Sequence, residues 1–165
     1  MATLQKITPS LWFNDNAEEA ARFYVSVFHD AKLGQISHFT EEGFETHGRP
    51  AGSVLTVAFT IEGHEFLALN GGPLFQFTEA VSFVVYCDSQ KEIDYYWEKL
   101  TPGGDPDAQQ CGWLKDKFGL SWQIVPSSMP EMIGDPDSAK AGRVMNALLR
   151  MHKLDMAELE QAYRG

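Results

Sequence analysis

Residues 81–100 read VSFVVYCDSQKEIDYYWEKL and place a β-strand directly before a helix. The run that ends at Asp88 is rich in valine and aromatic residues, which favour strands. The apolar residues that follow recur at the helical period: Ile93, Tyr96, Trp97 and Leu100. Ser89 and Glu92 stand three residues apart at the helix start, where their side chains can bond its free N–H groups. The stretch therefore predicts a strand followed by a helix over residues 89–100.

The first half of the chain repeats this arrangement. Asp15 follows a predicted strand as Asp88 does, and a polar pair with the same spacing, Asn16 and Glu19, opens a helix over residues 16–29. Aromatic pairs lie eight and nine residues after each aspartate: Phe23-Tyr24 and Tyr96-Trp97. Late in each half a glycine precedes a strand with an aromatic residue three positions on: Gly63 with Phe66, and Gly119 with Trp122. We interpret this as a duplication; the alternative is two unrelated α+β stretches that match by chance.

The remaining strand signals complete the two repeats. Short runs rich in Val, Phe, Leu and Thr cover residues 7–13, 33–39, 53–61, 65–69, 81–87, 109–114 and 120–125. One strand, one helix and three strands, given twice, predict a single α+β domain of two βαβββ modules. We place the modules at residues 1–74 and 78–126, pairing into a curved eight-stranded cup, and a helical C-terminal extension at residues 127–165.

Composition limits the classes of function. The chain has 165 residues, of which 44% are hydrophobic and 22% charged, as in globular domains. Its net charge of −10 disfavours binding to nucleic acid or to anionic membrane surfaces. No apolar run approaches the length of a membrane span, and residues 1–6 lack the pattern of a signal peptide. We therefore expect a cytoplasmic protein that binds neither nucleic acid nor a membrane.

Several motifs resemble a known family. They are Ile7-Thr8-Pro9, Leu11-Trp12-Phe13-Asn14, Phe23-Tyr24, Leu69-Asn70-Gly71-Gly72-Pro73 and the segment from Cys111 to Pro126 that contains Gly119-Leu120-Ser121-Trp122-Gln123-Ile124. With the paired modules, they resemble the PhnB-like subfamily of the vicinal oxygen chelate superfamily, which includes glyoxalases, extradiol dioxygenases and antibiotic-resistance proteins. This subfamily also carries the name 3-demethylubiquinone-9 3-methyltransferase. The resemblance implies a glyoxalase-like fold and a homodimer.

Metal ligands of the superfamily occupy four inward positions, on the first and last strand of each module. By register, the resemblance assigns these positions to Pro9, Leu67, Ser82 and Gln123. None carries the imidazole or carboxylate that divalent catalytic metals prefer, so we expect no strong metal site and no cofactor. A metal-dependent lyase or oxygenase with ligands from other positions, such as His38 or His64, stays open as an alternative.

Four residues are candidates for binding a small molecule: Asn70, Ser82, Trp113 and Gln123. Asn70 offers a donor and an acceptor beside Gly71-Gly72, although we favour the alternative of a tight turn leading out of the first module. Ser82 and Gln123 are polar at inward positions, and Trp113 lies where an aromatic side chain can line the mouth of the cup or pack as core. If Gln123 faces inward, strand alternation directs Trp122 into the core.

Other features have ordinary explanations. The methyltransferase name would require a glycine-rich turn that opens a helix, and neither Gly71-Gly72 nor Gly103-Gly104 fits that pattern. Cys111 has Lys115 nearby but no histidine close in sequence, so we expect a buried, inert thiol. Five of the six methionines follow Pro126, which predicts either an arm that packs on a partner subunit, our preference, or a lid over the cup.

From these patterns we expect a PhnB-like protein that binds a small apolar or aromatic molecule without a strong catalytic metal. The sequence assigns no reaction. A non-catalytic sequestering dimer is the remaining alternative.

Overall fold

The computed structural model describes residues 4–165 and divides them into two compact units, residues 4–76 and 77–165. Residues 1–3, which belong to the N-terminal segment considered for a signal peptide, lie outside the described residues. No helix among residues 4–165 is long and apolar enough to cross a membrane.

The first unit is a four-stranded sheet with one long helix. Its elements are β1 (Ser10–Phe13), α1 (Ala17–Val27), β2 (Ala31–His38), the short α2 (Phe44–His47), β3 (Val54–Ile61) and β4 (His64–Asn70). The strand order is β1-β4-β3-β2, with β1 parallel to β4 and the other pairs antiparallel. The single parallel pair arises because α1 carries the chain across the sheet between β1 and β2.

The apolar stripe of α1 holds the first unit together. Its buried side chains recur at helical spacing: Ala17, Ala20, Ala21, Tyr24 and Val27. They face the sheet, where the ring of Tyr24 stacks on that of Phe59 with 5.9 Å between centroids. The predicted helix over residues 16–29 is therefore confirmed, with ends shorter by one and two residues.

The second unit repeats the strand scheme with one strand fewer. Its elements are β5 (Ser82–Cys87), α3 (Gln90–Leu100), β6 (Trp113–Lys115), β7 (Ser121–Pro126), α4 (Met129–Ile133), α5 (Ser138–Leu148) and α6 (Met156–Arg164). The order is β5-β7-β6, with β5 parallel to β7 and β6 antiparallel to it. This matches β1-β4-β3 of the first unit, and the α+β class with two related sheets is confirmed.

The described chain forms seven strands, close to the predicted eight. The missing strand falls between α3 and β6, where residues 101–108 form a turn and a 3-10 helix over Pro106–Ala108. This stretch reads TPGGDPDA. Two prolines and two glycines in eight residues disfavour a strand, because proline lacks the N–H for the ladder and glycine has no side chain to pack.

The two faces of the second sheet differ sharply. Leu114, Trp122 and Ile124 are at most 3% exposed, and β7 packs against α3 on this side. Trp122 is therefore core, as strand alternation predicted. Gln123 and Trp113 lie on the opposite face and are half-buried.

The C-terminal helices pack on their own unit. Met129, Met132 and Met151 are buried in a cluster with residues from the end of β7 and from α5 and α6: Val125, Val144, Ala147, Leu154 and Leu159. The flexible thioether chains thus fill the irregular space between short helices. A partner subunit is not needed to explain the burial of these three methionines.

Candidate functional site

The second unit contains a cavity of about 560 Å³ on the open face of its sheet. Trp113 and Gln123 line it from the sheet, and Gln110 and Cys111 line it from the loop before β6. Apolar side chains of the C-terminal helices and the end of β7 form the other walls: Val125, Met129, Ile133, Leu148 and Leu149. Cavities of this size and apolar lining are typical of small-molecule sites.

The hairpin of β6 and β7 brings two of the predicted site residues together. Trp113 and Gln123 are direct partners across the antiparallel pair, so their side chains leave the sheet on the same face. The Gln123 Nε2 group donates a hydrogen bond of 2.9 Å to Ser82 Oγ on β5. Three of the four predicted residues thus form one connected group.

The turn before β7 is built on the buried carboxylate of Asp116, which lies in the motif from Cys111 to Pro126 but was not itself predicted to have a role. Asp116 is 2% exposed. Its Oδ1 accepts hydrogen bonds from the backbone N–H groups of Phe118 (2.8 Å) and Leu120 (3.1 Å). Its Oδ2 accepts one from Trp122 Nε1 at 2.9 Å. Asp116 therefore fixes the hairpin that presents Trp113 and Gln123 to the cavity.

The loop before β6 is tied to the C-terminal segment. Cys111 N–H donates to the carbonyl of Met151, and Gly112 N–H donates to that of His152, both at 2.8 Å. A Cβ on Gly112 would lie 3.0 Å from the carbonyl oxygen of Ile124, and Gly112 has a positive φ of 83°, so glycine is required there.

The expectation that Cys111 is buried is wrong. Its side chain is half-buried and lines the cavity, because it lies in the loop before β6 and not in the strand predicted over residues 109–114. Cys87 is the buried thiol, with no exposed surface. Burial raises the pKa of Cys87 to about 12, so this thiol stays protonated and inert.

An ion pair lies at the edge of the cavity. Lys115 Nζ is 2.6 Å from Glu79 Oε1, and the bond to Lys115 lowers the pKa of Glu79 from its ordinary value. Glu79 also lines the cavity. Because the charge of Lys115 is already paired with Glu79, it is not available to bind an anionic ligand.

Asn70 lies apart from this group, in the first unit. Its Oδ1 accepts a hydrogen bond from Ala17 N–H at 2.9 Å, and its Nδ2 donates to the carbonyl of Val54 at 3.0 Å. Asn70 therefore caps α1 from β4 and joins it to the start of β3. These bonds explain the residue without a ligand, although it also borders a polar cleft with Arg49 and Ser53.

The register of the first strand differs by one residue from our prediction. Ser10, and not Pro9, pairs with Leu67 and shares its face, because the distance from strand to aspartate differs between the two halves. Serine, like proline, is a poor ligand for a divalent catalytic metal.

The described residues do not fit the metal that the superfamily implies. No group of three or more His, Cys, Asp or Glu side chains within residues 4–165 could hold an ion. His38 pairs with Val54 and His64 with Ile61, at opposite ends of β3. Seven residues of strand separate the two histidines by roughly 23 Å, too far for one ion.

Part of the cavity wall is not predictable from the sequence. Gln110 lies in the loop before β6, Met129 begins α4, and Leu149 directly follows α5. The periodic pattern of apolar residues does not show how these segments pack. The signal available was the methionine-rich composition after Pro126, which indicates an adaptable apolar surface.

Two units with related strand orders, together with the family match and the PhnB similarity given below, place the chain in the vicinal oxygen chelate superfamily. More narrowly, residues 5–125 match the family described as 3-demethylubiquinone-9 3-methyltransferase, and the chain belongs to that family. The cavity walls contributed by α4 and α5 lie beyond the matched residues.

Several solved structures are similar to the chain. The chain is 36% identical to a PhnB protein from Bacillus cereus, with a TM-score of 0.61 over 73% of this chain and 99% of that one. Protein PA1353 from Pseudomonas aeruginosa shares the fold at 22% identity and a TM-score of 0.55, over 75% of this chain and 98% of that one. The fosfomycin resistance protein FosX from Listeria monocytogenes is similar at 17% identity, with a TM-score of 0.49 over 79% of this chain and 96% of that one. No curated protein matches the chain.

Proposed function

We propose that this protein binds a small apolar or aromatic molecule in the cavity of its second unit, without a catalytic metal. The observation that carries the proposal is the cavity of about 560 Å³, which combines apolar walls with one aromatic side chain, Trp113, and one fixed amide, Gln123. An aromatic ligand that stacks on Trp113 gains both apolar burial and ring–ring contact.

The polar groups of the site suit orientation of a ligand better than metal chemistry. Gln123 supplies an amide, held by Ser82 Oγ, and an amide hydrogen-bonds ligands but holds divalent transition metals weakly. We therefore expect binding that does not depend on a metal.

The methyltransferase name of the family is not needed for this proposal. Gly71 follows β4, and a Cβ on it would lie 2.2 Å from the Trp12 ring, so packing explains this glycine. A Cβ on Gly104 would lie 2.0 Å from the carbonyl oxygen of Lys115. Neither glycine pair opens a helix of the kind that binds a nucleoside cofactor.

The test is calorimetric titration of the purified protein with 2-methylnaphthalene, with and without EDTA. We expect a dissociation constant of about 0.1 mM, since a ligand of this size offers limited area and loses freedom on binding. EDTA should leave the affinity unchanged. Loss of binding with EDTA, or absence of binding, would overturn the proposal.

A variant pair locates the site. Trp113→Ala should weaken binding about tenfold through lost stacking and apolar contact. Trp97→Ala removes an equally large, half-buried indole from α3, away from the cavity, and should bind as the parent does. Equal effects of the two substitutions would place the ligand elsewhere.

A further inference from the structure

Some polar side-chain groups that line the cavity have hydrogen-bond partners in the protein, and others do not. Gln123 Nε2 donates one of its two N–H groups to Ser82 Oγ, and Gln110 Nε2 donates to the carbonyl of Leu149 at 3.0 Å and contacts Cys111 Sγ at 3.5 Å. The carbonyl oxygens of both amides have no hydrogen-bond partner among residues 4–165. Both residues line the cavity, so two strong acceptors are left for a ligand.

Donors are also left in the described part of the cavity: the Trp113 indole N–H and the second N–H of the Gln123 amide. The indole Nε1 of Trp113 makes no hydrogen bond within residues 4–165, and Trp113 lines the same cavity as Gln123. A hydroxyl group satisfies this arrangement, because it donates through its hydrogen and accepts through its oxygen.

The charges near the cavity argue against an acid. Glu79 lines the cavity, Lys115 is already paired with it, and the chain carries a net charge of −10. A carboxylate or phosphate in this position would meet like charge and acceptor oxygens, both of which repel it.

We infer that the ligand class is a neutral, hydroxyl-bearing aromatic molecule, a phenol in the widest sense, whose O–H donates to Gln123 Oε1. This inference rests on the proposed function and adds the polar group to it. Ser82 acts as a positioning residue, because its bond to Nε2 turns the amide so that Oε1 is presented to the ligand.

The test compares four naphthalenes that share one ring system: 2-naphthol, 2-methoxynaphthalene, 2-methylnaphthalene and 2-naphthoate. Calorimetric titration of the full chain should show 2-naphthol about fivefold tighter than the methoxy and methyl compounds, which cannot donate. The naphthoate should bind most weakly. Tightest binding of 2-methoxynaphthalene would overturn the inference, since it would mean that the ligand gains nothing from donating to Gln123 Oε1.

Two glutamine variants test whether the preference for 2-naphthol comes from the Gln123 amide. Gln123→Leu should abolish the fivefold preference for 2-naphthol while 2-methylnaphthalene still binds. Gln161→Leu, the same change on α6 away from the cavity, should keep the preference. Should Gln123→Leu fail to fold, Ser82→Ala gives an independent readout: the freed amide can rotate, and discrimination between 2-naphthol and 2-methoxynaphthalene should shrink.

The outcomes separate the two proposals. If no naphthalene binds the parent protein, the proposed function fails, and this inference fails with it. If all four bind with the same affinity, or if Gln123→Leu keeps the preference, only the inference about the hydroxyl group fails.

Discussion

At the scale of single residues, the most family-specific segment of the chain has a structural explanation. Asp116 collects three N–H groups, from Phe118, Leu120 and the Trp122 indole, on one buried carboxylate. The motif quoted from Cys111 to Pro126 thus encodes the shape of a hairpin, and the hairpin places the side chains that line the cavity. The sequence identified the segment, but spacing alone does not reveal which of its residues hold the turn.

Asp116→Ala should destabilise the protein by about 3 kcal/mol, because it leaves three N–H groups without their acceptor. Asp116→Asn should cost less, since its one carbonyl oxygen can still accept from the backbone. Urea unfolding measures both. Glu98→Ala, an exposed acidic residue on α3, is the control and should change stability by less than about 0.5 kcal/mol. A loss below about 1 kcal/mol for Asp116→Ala would contradict this role.

Asn70 illustrates a residue that sequence reasoning could place but not interpret. Its position at the end of β4 was predicted, whereas its two hydrogen bonds join elements far apart in sequence. The local pattern pointed to Asn16 as the cap of α1, yet that side chain makes no capping bond. Long-range partners of this kind are invisible in a local pattern.

Asn70→Ala should lower the free energy of unfolding by about 1–2 kcal/mol, as the loss of a helix cap does. Asn16→Ala is the matched control, and we expect it to be near neutral. The affinity for 2-methylnaphthalene should not change in folded Asn70→Ala. If Asn70→Ala lost affinity for 2-methylnaphthalene but kept its stability, Asn70 would have to be counted as a ligand-binding residue.

At the scale of elements, α6 and the segment before it are held by two partly buried carboxylates. Lys153 Nζ lies 2.6 Å from Asp94 Oδ1 on α3, and Tyr163 OH donates to Asp135 Oδ2 at 2.5 Å. The bonds to Lys153 and Tyr163 lower the pKa of Asp94 and of Asp135 from the ordinary value of 3.8. The charged carboxylates therefore stabilise the folded state above that value, and the stabilisation is lost as pH falls through the lowered pKa values.

The double variant Asp94→Asn/Asp135→Asn should be less stable than the parent at pH 6, and the difference should shrink steadily as pH falls below the ordinary value of 3.8. Urea unfolding at pH 6 and at several pH values below 3.8 measures this. Asp30→Asn in the first unit serves as the control for a change of one exposed carboxylate. A difference that stays constant with pH would show that these carboxylates do not stabilise the helix through their charge.

The element boundaries show what periodicity can and cannot predict. Helices α1 and α3 begin and end within two residues of their predicted ends, because each has a clear apolar stripe. The strand predicted over residues 109–114 shrinks to β6, residues 113–115. The residues before β6 form a loop, because the N–H groups of Cys111 and Gly112 donate to the carbonyls of Met151 and His152. This tertiary contact overrides the strand propensity of the segment.

At the scale of the whole molecule, the two units share a strand scheme and differ in what surrounds it. The first unit keeps four strands and a polar cleft, whereas the second has three strands, three added helices and an apolar cavity. The related strand order of the two units was visible in the sequence as repeated spacing. The cavity was not, because its walls come from segments without counterparts in the first half. The homodimer and the cytoplasmic location stay predictions.

The most direct test of the account is a crystal structure of the protein with 2-naphthol. We expect the ring system against the indole of Trp113 and the hydroxyl oxygen about 3 Å from Gln123 Oε1. Naphthol bound outside the cavity, or bound within it with the hydroxyl turned away from Gln123 and Gln110, would contradict the account.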